Sequence, residues 1–173
     1  SGVPTVNGAI VFDDRFGGKP LVYCGTGAIL PKRYPNGPSW HKDIRPGDRI
    51  VVIGGRVGRD GIHGATFSSG ALDDKVSGSV VQIGSPFVQK MAGDVLTEAC
   101  ERGLVAGCTD NGAGGLSSSV GELAQGPGGA VLHLERVQLK YVGLEPWEIL
   151  LSESQERMTL AVRPGDVAAL LAL

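Results

Sequence analysis

Apolar residues recur along this chain in two rhythms. Between Pro86 and Arg102, Phe87, Met91, Val95, Leu96 and Ala99 fall on one face of a 3.6-residue period, with Lys90, Asp94, Glu98 and Glu101 opposite. This predicts a helix whose apolar stripe is core. Ser85 before Pro86 is a cap followed by the proline that suits the first helical turn, and Gly103 supplies the stop. Shorter runs rich in β-branched residues predict strands: Leu21–Leu30 before Pro31, Arg49–Ile53 after the turn Pro46-Gly47-Asp48, Ser79–Gly84, Leu104–Thr109, Ala130–Leu134 and Met158–Val162. Further helices are expected over Ser117–Ala124, from Pro146 to Leu151 and from Asp166 onward, while Lys32–Lys42 reads as an irregular connection. Several connections are too short for a crossover helix. The expected class is therefore α+β, a mixed β-sheet with helices packed on it.

Three polar loops interrupt this apolar body. After Ile50-Val51-Val52-Ile53 come Gly54, Gly55, Gly58, Gly61 and Gly64, interleaved with Arg56, Arg59, Asp60 and His63. Glycine at that density weakens regular structure and admits positive φ or close backbone approach. The stretch is either a phosphate cradle of amides and guanidinium groups or a glycine-rich surface turn. It matches neither G-x-G-x-x-G nor a P-loop. The second loop, Asp110-Asn111-Gly112-Ala113-Gly114-Gly115, links a strand to a helix. Asp110 suits a hard cation such as Mg²⁺, which takes one or two protein carboxylates, and equally suits capping of the helix. The third, Ser152-Glu153-Ser154-Gln155-Glu156-Arg157, is a polar hinge, and Gln82 stands near a strand end.

Composition narrows the classes. A chain of 173 residues is long enough for a real core, and its net charge of −2 with scattered Lys and Arg gives no footprint for a nucleic-acid polymer. No run of eighteen apolar residues offers a membrane span and no signal peptide opens the chain, so the expected compartment is cytoplasmic. Cys24, Cys100 and Cys108 are odd in number, sit in apolar settings and form no C-x-x-C, which points to reduced core thiols. His41 is expected to be solvated, and His133 to lie on one face of a strand. The chain opens mid-pattern and closes within the apolar run Val167–Leu173, so an excised segment of a longer protein is expected, with Val167, Leu170, Leu171 and Leu173 available for self-association.

Four runs in order resemble a known family: Gly54-Gly55-Arg56-Val57-Gly58-Arg59-Asp60-Gly61-Ile62-His63-Gly64-Ala65, Val81-Gln82-Ile83-Gly84-Ser85-Pro86, Asp110-Asn111-Gly112-Ala113-Gly114-Gly115-Leu116 and Leu151-Ser152-Glu153-Ser154-Gln155-Glu156-Arg157-Met158. They are similar to phosphoribosylformylglycinamidine synthases, the amidotransferases of purine biosynthesis, as is Gly2-Val3-Pro4-Thr5-Val6-Asn7-Gly8 upstream. The resemblance covers essentially the whole chain. It implies a fold like the C-terminal domain of aminoimidazole ribonucleotide synthetase, with residues 1–45 as the tail of a preceding domain and 46–173 as a C-terminal domain truncated at its end. It also implies a reaction in which ATP activates the amide oxygen of formylglycinamide ribonucleotide and ammonia from glutamine displaces the phosphate. On this resemblance Gln82, Glu153, Ser154 and Gln155 would contact the ribonucleotide and Asp110 would bind Mg²⁺. Arg56, Arg59, Asp60 and His63 are placed in the cleft by position alone. The partners implied are a glutaminase subunit or domain and the remaining synthetase domains. The family's catalytic histidine and upstream ATP motif are not in this chain, so the fragment alone is expected to be inactive. Ser85, Asn111 and Val57 depart from the family pattern, and Asn111 bears directly on the setting of Asp110. The alternatives are a non-catalytic binding or assembly module of the same fold, and a related ATP-dependent synthetase or kinase, which Glu153-Ser154-Gln155 disfavours.

Overall fold

The structure, a computed structural model, describes residues 2–17, 21–64 and 84–173. The predicted strand over Ser79–Gly84 and Gln82 with it fall outside the described residues apart from Gly84. The regular elements are β1 (Arg33–Tyr34), β2 (Gly37–Pro38), β3 (Arg49–Gly54), α1 (Pro86–Glu101), β4 (Gly107–Asp110), α2 (Gly115–Ala124), α3 (Pro146–Leu151), β5 (Arg157–Val162) and α4 (Val167–Leu171).

β3, β5 and β4 form a three-stranded sheet in that order, with β5 antiparallel to both neighbours. The register pairs Gly54 with Arg157 and Asp110 with Met158. Because side chains alternate along a strand, this register sorts the two faces. Val51, Ile53, Cys108, Met158, Leu160 and Val162 share one face and pack with Ala99 and Leu96 of α1 and Leu170 and Val167 of α4. Burial of each such Leu or Val contributes about 1.5–3 kcal/mol before chain entropy is counted. Thr159 and Ala161 lie on the other face, which α2 covers through Leu116, Ser119, Val120 and Leu123, all buried. A small antiparallel hairpin, β1–β2, and one parallel bridge, Val57 to Leu139, complete the pairing among the described residues. The class is α+β, with helices on both faces of the sheet.

α1 begins as the sequence predicts: the Ser85 hydroxyl accepts the Val88 N–H at 3.4 Å and Pro86 occupies the first turn. α3 carries a reciprocal cap, in which Glu148 accepts from the Glu145 backbone.

Several expectations fail for a shared reason. Leu21–Leu30 is not a strand but exposed irregular chain, with no strand paired to it among the described residues. Ala130–Leu134 likewise has no ladder partner among the described residues, and the chain makes a 3₁₀ turn over Leu134–Arg136 instead. His133 is therefore not a strand residue; it is exposed and pairs with Glu135 at 3.0 Å. Strand propensity measures fit to a pleated, partnered surface, and without a partner it is not realised. Conversely, Lys32–Lys42 is not wholly irregular, because it contains the β1–β2 hairpin. Phe87 and Met91 are exposed rather than core among the described residues; the core cluster takes Leu96, Ala99 and Cys100 from α1. Cys24 is exposed, whereas Cys100 and Cys108 are partly buried, and all three are free thiols. Leu170 is buried, Val167 and Leu173 are partly buried, and Leu171 is strongly exposed.

Candidate functional site

The sheet's topology gathers the polar loops. β3 and β4 run in the same direction and end at Gly54 and Asp110, while β5, running against both, starts at Arg157. Whatever follows β3 or β4, or precedes β5, must emerge from one edge. The loop 54–64, the turn 110–115 and the turn 152–156 consequently meet on a single rim.

Glycine makes the approach close enough. Gly54 has φ +105°, and a Cβ there would stand 1.8 Å from the Glu156 carbonyl oxygen. Gly115, at φ +52°, would bring a Cβ within 2.0 Å of the Ser152 carbonyl oxygen. Only a residue without a side chain fits either position. The turn 152–156 is thus held between the other two loops.

Its interior is saturated with hydrogen bonds. Ser154 is 0% exposed. Its hydroxyl donates to Asp60 Oδ2 at 2.7 Å and accepts the Gly58 N–H at 3.0 Å, beside the Ser152 hydroxyl at 3.0 Å. Asp60 Oδ2 also receives Lys140 Nζ at 2.6 Å, and the Asp60 carbonyl accepts the Glu153 N–H at 3.0 Å. Burial would raise the Asp60 carboxyl, but Lys140 and Ser154 outweigh it and hold the group below the usual carboxylate range. From beneath, Arg157 Nε donates to the Ser154 carbonyl at 2.8 Å and Nη2 to the Ser152 carbonyl at 2.6 Å. Arg157 is 4% exposed and its Nη1 has no hydrogen-bond partner among the described residues. Burial without a paired carboxylate pushes its pKa down to about 10, which leaves it charged at neutral pH.

The predicted site residues fall into three groups. Asp60 and Ser154 are brought together as part of the brace. Glu153 reaches across the rim, where its Oε1 accepts the Gly114 N–H at 3.3 Å, and Gln155 beside it is exposed. Arg59 turns outward to an ion pair with Glu148 at 2.8 Å, and its backbone N–H binds the Tyr141 hydroxyl at 2.9 Å. Glu148 is held below its usual range by the Glu145 backbone N–H, against the opposing effect of burial and with help from Arg59. Arg56 and His63 are exposed on the same loop, His63 with φ +64°. Gln82 lies outside the described residues.

Asp110 is exposed at the end of β4, and its carboxylate makes no hydrogen bond or ion pair among the described residues. It does not cap α2; Gly114 holds that position in the left-handed conformation. The turn is instead secured by Asn111, whose side chain meets Ser119 at 2.8 Å and Thr159 at 2.9 Å in a buried polar cluster. The described residues contain no group of three or more His, Cys, Asp or Glu side chains able to hold a metal. One uncommitted carboxylate fits Mg²⁺ only where ligand phosphates and water supply the remaining oxygens.

Sequence reasoning placed Arg157 at the end of the third loop without a role and missed Lys140 altogether. Lys140 and Asp60 are 80 positions apart, and no local pattern couples them. Arg157 did carry a signal, an arginine opening an otherwise apolar strand. A cavity of about 790 Å³ runs along the sheet face between β3 and α2, lined by Ile50, Val52, Leu116 and Val120, and touches the rim's underside at Gly54 and Arg157.

Comparison with known proteins bears on the family and the fold. The family of AIR synthase related proteins, C-terminal domain, matches residues 45–173. Phosphoribosylformylglycinamidine synthase subunit PurL of Thermotoga maritima is 43% identical over 173 residues, which cover 98% of this chain and 28% of that protein. The subunit of the same name from Methanopyrus kandleri is 44% identical over 172 residues, 96% of this chain and 23% of the relative. The chain thus spans about a quarter of the length of these relatives. Among solved structures, T. maritima PurL complexed with FGAR superposes with a TM-score of 0.70 at 47% identity, over 76% of this chain and 22% of that one. T. maritima PurL complexed with ATP gives 0.62 at 42% identity, and the structure of PurLQS from T. maritima 0.61 at 41%, each over 76% of this chain and 20% of the other.

Proposed function

We propose, from the premise that the chain belongs to the AIR synthase related protein family through the C-terminal domain of that family, that its rim is the substrate side of an ATP-dependent amidotransferase acting on formylglycinamide ribonucleotide. In that reaction the amide oxygen takes the γ-phosphoryl group of ATP, ammonia adds at the same carbon, and phosphate leaves with the original oxygen, giving the amidine, ADP and phosphate. The observation that carries the reading is the convergence of three glycine-rich or acidic loops around the Glu153–Gln155 turn, with one carboxylate, Asp110, left uncommitted.

Each residue has a role consistent with its setting. Glu153, Gln155 and Gln82 would contact the ribonucleotide, with Ser154 holding their turn from inside. Arg56 and His63 would line the cleft, where a guanidinium group suits phosphate oxygens, while Arg59, paired with Glu148, is turned away from it. Asp110 would hold Mg²⁺ with the ligand's phosphates, and the ion would offset charge on the transferring phosphoryl group. Residues 1–45 are assigned to the tail of a preceding domain and 46–173 to the C-terminal domain; the exposed course of residues 2–17 and 21–30 and the family match from residue 45 support that division. A glutaminase subunit or domain would supply ammonia. A cytoplasmic setting follows from the same reading; among the described residues no helix is long and apolar enough to cross a membrane.

The test is steady-state kinetics of the full-length protein with formylglycinamide ribonucleotide, ATP and ammonia. Glu153→Gln is expected to lower kcat/KM by about ten-fold or more, as loss of a substrate hydrogen bond should. The isolated 173-residue chain should form no product. Unchanged kinetics in Glu153→Gln, or turnover by the isolated chain, would refute the assignment.

A further inference from the structure

We infer that Asp60 and Lys140 are positioning residues that act through Ser154, and that Ser154 itself makes no contact with ligand. The inference deepens the reading of the rim given above and rests on it for the identity of the ligand.

The hydrogen-bond inventory supports it. A serine hydroxyl offers one donor and two acceptor sites. The Ser154 hydroxyl donates to Asp60, accepts from Gly58 N–H and stands against the Ser152 hydroxyl, so no site remains for a bound molecule. The side chain is sealed from solvent, with the Glu153 and Gln155 backbone on either side. A ligand could reach the hydroxyl only by dismantling the turn.

What the hydroxyl does instead is transmit a position. Lys140 is tied to the glycine-rich loop through two backbone bonds: Val57 N–H to the Gln138 carbonyl at 2.9 Å, and Lys140 N–H to the Val57 carbonyl at 2.8 Å. Its ammonium group fixes the Asp60 carboxylate, which orients the Ser154 hydroxyl, while the Asp60 carbonyl holds the Glu153 amide. Arg157 anchors the carbonyls of Ser152 and Ser154 from the opposite side. The turn is clamped at both ends before any ligand arrives. Preorganisation of this kind removes an ordering cost from binding. The expected ligand is the phosphorylated amide whose contacts Glu153 and Gln155 would make.

A double-mutant cycle in the full-length protein tests the inference, read as the dissociation constant for formylglycinamide ribonucleotide. Ser154→Ala and Asp60→Asn should each weaken binding by about ten-fold, and the double variant by no more than either alone, because both break the same linkage. Backbone amide exchange, measured without ligand, should accelerate at Gly58 and Glu153 in Asp60→Asn. If that variant does not fold, Lys140→Met supplies the same readouts from a partly exposed position, and Lys140→Arg should restore the wild-type values. Losses that multiply towards a hundred-fold would show that Ser154 touches ligand directly and would overturn the inference, as would unchanged exchange. If the wild-type protein does not bind the ribonucleotide, the functional reading fails instead, and amide exchange alone decides the positioning roles.

Discussion

Asp60 and Asp110 stand on one rim, each following an apolar strand and each beside glycine, yet they have opposite circumstances. Asp60 is enclosed, with Lys140 and Ser154 on one carboxylate oxygen and its carbonyl engaged by Glu153. Asp110 is exposed, and its carboxylate makes no hydrogen bond or ion pair among the described residues. One acid is consumed in holding backbone and the other is left available for a ligand. The neighbours account for the contrast. The loop carrying Asp60 is tied to the segment around Lys140, whereas Asp110 ends a strand whose turn is already secured by Asn111, Ser119 and Thr159.

The largest effect that would sharpen this comparison is steric. Gly115→Ala, which drives a methyl group against the Ser152 carbonyl at a positive φ, should destabilise the fold by about 3 kcal/mol or more in chemical denaturation. Gly121→Ala, in the exposed middle of α2 with open space at its Cβ, should be neutral or stabilising by about 0.5–1 kcal/mol. Equal effects at the two glycines would mean that the loops do not approach as described.

Next in size is Arg157→Met. Two charge-assisted hydrogen bonds are lost, but a buried, incompletely paired charge is relieved, so about 2 kcal/mol of destabilisation is expected. No change in the denaturation midpoint would show that the guanidinium is dispensable to the turn.

The carboxylates themselves come last. Asp60→Asn should cost about 1–2 kcal/mol and Asp110→Asn less than about 0.5 kcal/mol. The Asp60 contribution also has a defined pH dependence. Its folded-state pKa lies below the ordinary 3.8, so its stabilisation is complete above that pH and is lost as pH falls through the lowered value. Denaturation curves of wild type and Asp60→Asn should therefore converge in strong acid. Parallel curves over the whole range would break the contrast between the two acids.

Much of the scaffold was legible in the sequence because local rules acted there without opposition. The Ser85-Pro86 start and Gly103 stop predicted α1 to within a residue, and β3, α3 and β5 were foreseen from β-branched runs and turn residues. The motifs Gly54–Ala65, Asp110–Leu116 and Leu151–Met158 marked all three loops of the rim. The same rules misread Leu21–Leu30, whose composition is as strand-like as that of β3. β3 has β5 beside it along its whole length, and Leu21–Leu30 has no described neighbour to pair with.

The amino-acid sequence by itself determined which segments can be helix or strand, where glycine permits a reversal and which chemical groups the chain carries. Those properties depend on a few adjacent residues, through backbone sterics, capping and periodic burial. Tertiary structure alone decided that Ser154 faces inward, that Asp60 meets a lysine far along the chain and that Asp110 does not. Those outcomes follow from the antiparallel placement of β5 between β3 and β4, which sets the three loops on one edge and makes their backbones compete for the same few hydrogen-bonding groups.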